Sequence, residues 1–376
     1  MRPLQMVDTK TQYLHIKEEI DKAIGEVVES AAYINGPAVG KFAEQLAAYL
    51  SVKHVIPCAN GTDALQIAMM ALGLEPGDEV ITSNFTFIAT AEVIALLRLK
   101  PVVVDVDPDT FVVDPASIRK AITPKTKAIV PVHLFGQCAN MDEIMAIAKE
   151  HQLYVVEDNA QAIGAEYISK DGSRKKAGTI GHIGCTSFFP SKNLGCYGDG
   201  GAIFTNDDEL AAKMRMVVNH GMRVQYVHDS IGVNSRLDSI QAAVLRIKLR
   251  HLDAYAEARN RAASFYDQAF AGNSKLKTPA RAKDSTHVFH QYTLVLDPSI
   301  DRNALREHLT NKGIPAMIYY PIPLHMQKAY EDPRYKAGDF PVTEELCKRV
   351  LSLPMHTELE NDQLKFITES VLEFIH

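Results

Sequence analysis

A chain of 376 residues is too long for one ordinary hydrophobic core and implies two domains of unequal size. Its 40 basic and 46 acidic residues leave a net charge of −6, which argues against nonspecific binding to nucleic acid or another polyanion. With 46% hydrophobic and 23% charged residues it has the composition of a soluble globular protein rather than a disordered one. Met1 to Asp8 carry charge and no apolar signal core, and no later run approaches transmembrane length, so a cytoplasmic protein outside the membrane is expected. The five cysteines are scattered and never spaced as a CxxC pair, which predicts reduced thiols.

From about residue 54 to 206, short apolar runs alternate with amphipathic helical segments. The runs are Val55–Pro57, Glu79–Thr82, Pro101–Asp105, Ala128–Val132, Tyr154–Val156, Thr186–Phe189 and Ala202–Thr205. Strands alternating with helices predict an α/β fold whose largely parallel central sheet is covered on both faces. Asp114-Pro115 and Asn140-Met-Asp142 read as helix starts. After Asp238 come two long helical stretches that close at Gly272, and then a second α/β unit. That unit holds a strand-like run Val288–Leu296, a helix near Asn303 to Lys312 stopped by Gly313, and the run Ile314–Tyr320. The expected division is a large domain over residues 1–255 and a smaller C-terminal α/β domain over 256–376.

Three motifs in this order carry chemistry. In Asn60-Gly61-Thr62 an apolar stretch gives way to helical spacing at Leu65, Ala68, Met69 and Leu72. The N–H groups at such a helix start, with the Thr62 hydroxyl, make an anion site, although the same tripeptide also reads as an ordinary turn before a capped helix. Leu153–Gln161 is an apolar run that breaks into Glu157 and Asp158, as a buried parallel strand does at its carboxyl end, where ligands gather. Asp158 can pair with a protonated ring nitrogen; its simpler role is to cap the next helix. Ser187-Phe-Phe-Pro-Ser-Lys192 ends on a lysine followed at once by the glycine-rich stretch Gly195–Gly201. An amine held on such a turn is placed to form a Schiff base with a carbonyl compound, whereas most lysines beside glycine loops are solvated charges.

Together with Gly198-Asp-Gly-Gly201 and Gly232-Val-Asn234-Ser-Arg236-Leu-Asp238, these motifs resemble the sugar aminotransferases of the DegT/DnrJ/EryC1/StrS family, over nearly the whole chain. The resemblance implies an aminotransferase fold of type I and a dependence on pyridoxal 5′-phosphate. It implies that Lys192 holds the cofactor and moves the proton, and that Asp158 pairs with the ring nitrogen. Gln161 would bond the ring hydroxyl and Phe85 would stack on the pyridine face. Gly61, Thr62 and Ser187 would hold the phosphate, joined by Asn234 of the partner subunit in a homodimer with shared sites. Arg236, Tyr320 and His325 would meet the nucleotide sugar. For Arg236 a structural pairing with Asp238 is the alternative, and Tyr319 stands where the family often has histidine.

Phe188–Gly198 and Tyr320-Pro-Ile-Pro-Leu324 most resemble the branch that aminates the 3-keto form of UDP-N-acetylglucosaminuronic acid, with L-glutamate as donor, for bacterial lipopolysaccharide O-antigen. A 3-keto or 4-keto 6-deoxyhexose on dTDP or UDP is the alternative within the family. A regulatory or binding protein on the same fold is the alternative outside catalysis. The related sugar 3-dehydratases carry histidine at the lysine position, against which Lys192 speaks. The histidines show no metal-ligand spacing, and no metal is expected. A dinucleotide fingerprint is excluded because Gly198–Gly201 precedes a strand-like run instead of following one.

Overall fold

In the computed structural model, which describes residues 1–375, the chain begins its main sheet with β1 (His54–Cys58), β2 (Glu79–Ser83), β3 (Lys100–Val104), β4 (Thr126–Val130) and β5 (Tyr154–Asp158). A small hairpin, β6 (Glu166–Ile168) and β7 (Arg174–Lys176), precedes the last two strands of that sheet, β8 (Ile183–Ser187) and β9 (Gly201–Thr205). The seven strands lie in the order β1-β9-β8-β5-β4-β2-β3. Every pairing from β8 to β3 is parallel, and β9 runs antiparallel to both of its neighbours. All residues of β2, β8 and β9 are buried, as strands covered on both faces require.

The covering helices follow from cap chemistry and apolar spacing. Asn60, Asp114 and Asn140 each accept a backbone N–H in the first turn of helices Gly61–Ala71, Pro115–Ala121 and Met141–His151. Such caps contribute about 1 kcal/mol each. Leu65, Ala68 and Met69 of the first of these helices pack on one face of the sheet with Val80, Val130 and Ile203. Ile144 and Ile147 of helix Met141–His151 pack on the other face against Ile81, Ile129 and Val155. Phe42, Leu46 and Leu50 of helix Pro37–Leu50 pack with Val55 of β1 and Ala202 and Phe204 of β9, each buried at roughly 1.5–3 kcal/mol of transfer free energy. All five cysteines are buried free thiols.

An exposed hairpin, β10 (Met222–Val224) with β11 (Val227–His228), leads to the long helices Ser239–Leu249 and Leu252–Ala269. A second, antiparallel sheet follows, made of β12 (Leu276–Lys277), β13 (Tyr292–Leu296) and β14 (Val350–Leu353). Its core joins Leu294 and Leu351 to Ala262 and Tyr266 of helix Leu252–Ala269, to Ile367 and Val371 near the C-terminus and to Leu4. Residue 255 lies inside that helix, so the proposed boundary between residues 255 and 256 crosses a continuous element.

Two expected strands come out differently. The run Val288–Leu296 becomes a strand only at Tyr292. Phe289 sits in the left-handed region at φ 45°, and the N–H groups of Val288 and His290 donate to the carbonyls of Gly136 and Phe135 instead of a ladder. The run Ile314–Tyr320 makes a single bridge, Met317 to Ser352, where Pro315 has no N–H to extend the pairing.

The end of β5, on which the cavity described below depends, is fixed by a buried charge. The Glu157 carboxylate is fully buried and accepts from the N–H groups of Gly178, Ile180 and Gly181 and from His133 Nε2 at 2.7 Å. His133 Nδ1 accepts from the Ala139 N–H at 3.1 Å, so the imidazole proton sits on Nε2 and donates to Glu157. Glu157→Leu leaves these donors buried and unpaired and should lower stability by about 3–5 kcal/mol, with Glu157→Gln losing less. Urea denaturation checks this: a leucine variant with an unchanged midpoint would show that the network carries no stability.

Candidate active site

The carboxyl ends of β1, β2, β5 and β8 open onto one cavity of about 610 Å³. A crevice at the carboxyl ends of parallel strands is where ligands bind in open α/β sheets. Gly61, Thr62, Asp158, Gln161, Ser187, Lys192 and Tyr320 all line it.

Its first wall is the start of helix Gly61–Ala71. The Asn60 side chain accepts from the Asp63 N–H at 2.8 Å. The N–H groups of Gly61 and Thr62, in the first turn, have no intrahelical acceptor and face the positive end of the helix dipole. A Cβ on Gly61 would lie 2.6 Å from the Ser187 Cβ, so only glycine lets the end of β8 approach. The result is a cradle of two N–H groups and two hydroxyls, suited to a phosphate.

The second wall is Asp158, 6% exposed. One carboxylate oxygen accepts from the Thr90 hydroxyl at 2.7 Å and the other from the Ala160 N–H at 3.1 Å. One turn on, Gln161 Oε1 accepts from the Phe135 N–H at 2.9 Å, and its Nε2 donates to the Tyr320 hydroxyl at 3.1 Å. Burial pushes the Tyr320 phenol above its usual range, so it stays neutral.

The third wall is Lys192. Its backbone N–H donates to the Phe189 carbonyl at 2.8 Å, closing the turn after β8, and Asn193 anchors the next residue by donating to the Val288 carbonyl at 2.8 Å. Burial pulls the Lys192 amine down to about 8, an effect that the Asp158 carboxylate partly opposes. An amine with that affinity for protons is part neutral near neutral pH, which a nucleophile and a proton carrier both need. Amine, carboxylate and anion cradle suit an aldehyde-bearing pyridine phosphate, and the buried hydroxyl of Thr86, another residue lining the cavity, has no hydrogen-bond partner among the described residues.

Four of the predicted site residues lie elsewhere. Phe85 is 1% exposed and packs against Phe111, Phe135 and Tyr320. Of Phe85 and Phe87, it is Phe87 that lines the cavity. β2 ends at Ser83, and beyond it side chains no longer alternate, so neither ring's direction follows from strand parity. His325 is buried in a separate small cleft, with Nδ1 2.8 Å from Asn84 Nδ2 and Nε2 3.4 Å from Glu344. Asn234 is exposed and Arg236 half-buried, and neither lines the cavity of its own chain. Sequence reasoning missed Thr86, Phe87, His290 and Gln291, all of which do, as does Tyr319, the position where the family often has histidine.

The profile of the DegT/DnrJ/EryC1/StrS aminotransferase family matches residues 14–372. A pleiotropic regulatory protein of Geobacillus stearothermophilus is 47% identical over 371 residues, 98% of each chain. The UDP-2-acetamido-2-deoxy-3-oxo-D-glucuronate aminotransferase of Pseudomonas aeruginosa is 46% identical over 364 residues, 97% of this chain and 98% of that one. The crystal structure of a DegT DnrJ EryC1 StrS aminotransferase from Brucella abortus superposes with a TM-score of 0.92 at 43% identity, covering 99% of both chains.

The depressed amine makes a prediction of its own. The neutral fraction of Lys192 rises through pH 8, so capture of an aldehyde such as pyridoxal phosphate by the cofactor-free protein should accelerate between about pH 7 and 9 and then level off. Borohydride trapping and mass spectrometry across that range check it. A rate that climbs through pH 10 would mean an ordinary, solvated lysine.

Proposed function

This chain belongs to the DegT/DnrJ/EryC1/StrS aminotransferase family, and from that premise we propose that it aminates the 3-keto group of UDP-2-acetamido-2-deoxy-3-keto-glucuronate with L-glutamate as donor. It is a sugar aminotransferase, and the family depends on pyridoxal 5′-phosphate. The proposed 3-amino UDP-sugar serves lipopolysaccharide O-antigen synthesis in the cytoplasm. The observation that carries the reading is the buried juxtaposition of Lys192 and Asp158 in one cavity with a helix-start anion cradle. The relative 46% identical supports the choice of uronate.

When bound, pyridoxal phosphate supplies the carbonyl that accepts the amino group and the ring that stabilises the charge left as a proton departs. The chain supplies position and proton transfer. Gly61, Thr62 and Ser187 bind the phosphate. Asp158, oriented by Thr90 and the Ala160 N–H, holds a proton at the ring nitrogen. Gln161 meets the ring hydroxyl from its anchored position on Phe135. Phe87, instead of Phe85, covers the ring face. Lys192 would anchor the group, and its freed amine, part neutral near neutral pH, would move the proton from the α-carbon of glutamate. Glutamate would thereby leave as 2-oxoglutarate, water supplying its keto oxygen; in the second half Lys192 would move the proton in the reverse sense, the amino group would pass to C3 of the sugar and the sugar's keto oxygen would leave as water.

We place Asn234 and Arg236 at a homodimer interface. The β10–β11 hairpin and the segment after it expose Tyr226 at 83% and Ile231 at 87%. Asn234 and Arg236 follow directly, and both stand outside their own cavity. A second copy covering this apolar stretch would bring Asn234 of the partner subunit to the phosphate.

A panel of keto sugars tests the substrate: the 3-keto uronate on UDP, the 3-keto N-acetylglucosamine on UDP, and 3-keto and 4-keto 6-deoxyhexoses on dTDP. The expected result is a kcat/KM for the uronate at least about tenfold above the others, the scale of one charge-assisted contact. A clear preference for a sugar without the C6 carboxylate would overturn the uronate assignment.

A further inference from the structure

The cavity is also lined by His290 and Gln291, which the proposed reaction has not used. This wall is built with care. The His290 and Gln291 N–H groups both donate to the Phe135 carbonyl, on the residue that also holds Gln161. Asn193, directly after Lys192, donates to the Val288 carbonyl. From behind, the buried guanidinium of Arg259 donates to the carbonyl of Phe289 at 2.9 Å and reaches that of His290 at 3.5 Å. Phe289 is held at φ 45°, a conformation that costs a bulky residue free energy and persists only where its surroundings fix it. A Cβ on Gly136 would lie 2.8 Å from the Phe289 nitrogen, so the turn at Gly136 is pressed against this segment.

His290 is 5% exposed, and its Nδ1 is buried without a hydrogen-bond partner. The Gln291 amide nitrogen lies 3.5 Å from Nε2. An amide N–H donates, so Nε2 accepts and the proton of the neutral ring sits on Nδ1, the nitrogen that has no partner. Burial, with the charges of Lys192 and Arg259, holds the imidazole well below its usual range and therefore uncharged. A neutral N–H donor buried unpaired in the wall of a binding cavity costs stability unless a ligand or a small turn of the ring gives it a partner.

We infer that His290 is a substrate-binding residue whose Nδ1–H hydrogen-bonds a hydroxyl or carbonyl oxygen of the sugar ring beside Lys192, with Gln291 fixing the tautomer. This rests on the sugar aminotransferase reading. An uncharged donor suits a sugar oxygen, and the neighbouring Tyr320 hydroxyl is likewise neutral; the carboxylates of glutamate call for a cation. His290 thus favours the sugar half of the reaction over the donor half.

The test uses the cofactor-loaded enzyme and follows its visible absorbance in single turnovers. One arm adds L-glutamate. The other adds 3-amino sugars that run the second half in reverse: the 3-amino uronate and 3-amino N-acetylglucosamine on UDP, and a 3-amino 6-deoxyhexose on dTDP. His290→Leu should slow the sugar that wild type prefers by about 10- to 100-fold, the scale of a lost buried hydrogen bond, and glutamate by at least about tenfold less. His290→Asn, which offers an amide N–H near the place of Nδ1, should recover part of the sugar rate. Gln291→Met, which frees the proton to move to Nε2, should lose in the same direction and decides the matter if the leucine variant fails to fold. Equal slowing of both arms, or an asparagine variant no better than leucine, overturns the inference. A wild type that converts glutamate but no sugar on the panel sinks the sugar reading, and this inference with it.

Discussion

A carboxylate buried at the end of a parallel strand is costly unless its surroundings supply donors, and the site is organised around that requirement at Asp158. Its side chain takes two hydrogen bonds, from Thr90 and the Ala160 N–H, and its backbone takes two more, with Pro131 and His133. The preceding residue, Glu157, is fixed by four further donors. Two adjacent buried carboxylates thus have separate roles. Glu157 is saturated by its neighbours and holds the strand end still. Asp158 faces the cavity and the Lys192 amine. An ionised carboxylate there both stabilises a positive charge in the cavity and limits how far burial can depress the lysine.

The second sheet takes part in this arrangement through one buried cation. Arg259, 2% exposed, has backbone carbonyls as its hydrogen-bond partners: those of Phe289, His290 and Met355. Burial pulls it down to about 10, still far above neutral pH, so it stays charged. It ties helix Leu252–Ala269 to the segment before β13 and to the turn after β14, and Tyr266 on the same helix adds a bond to the Pro354 carbonyl at 2.9 Å. The C-terminal unit therefore presents a fixed wall to the cavity, and we keep the division at residue 255 as a proposal about organisation in which the two parts share this helix.

The strands and helix starts were legible because they rest on local rules. Apolar runs covered on both faces and Asn or Asp caps each act within a few residues, and the seven apolar runs of the first half lie in the main sheet. The amine, the carboxylate and the anion cradle were legible because each sits where a strand ends, a boundary visible in the sequence. What lay beyond the strand ends was not. Phe85 and Phe87 differ only in which way an irregular turn points them. His290 reaches the cavity through a left-handed Phe289 and a buried arginine 31 residues away in sequence, a contact without local signature. His325 resembles a substrate residue in its segment, yet it is engaged by Asn84 and Glu344.

The most direct test of the central claim is the visible absorbance spectrum of the protein loaded with pyridoxal phosphate, before and after L-glutamate, with Lys192→Ala beside wild type. The account predicts that glutamate bleaches the yellow band to the pyridoxamine form in wild type and leaves the alanine variant unconverted. A wild-type protein that binds no cofactor, or an alanine variant that converts as fast as wild type, would contradict it.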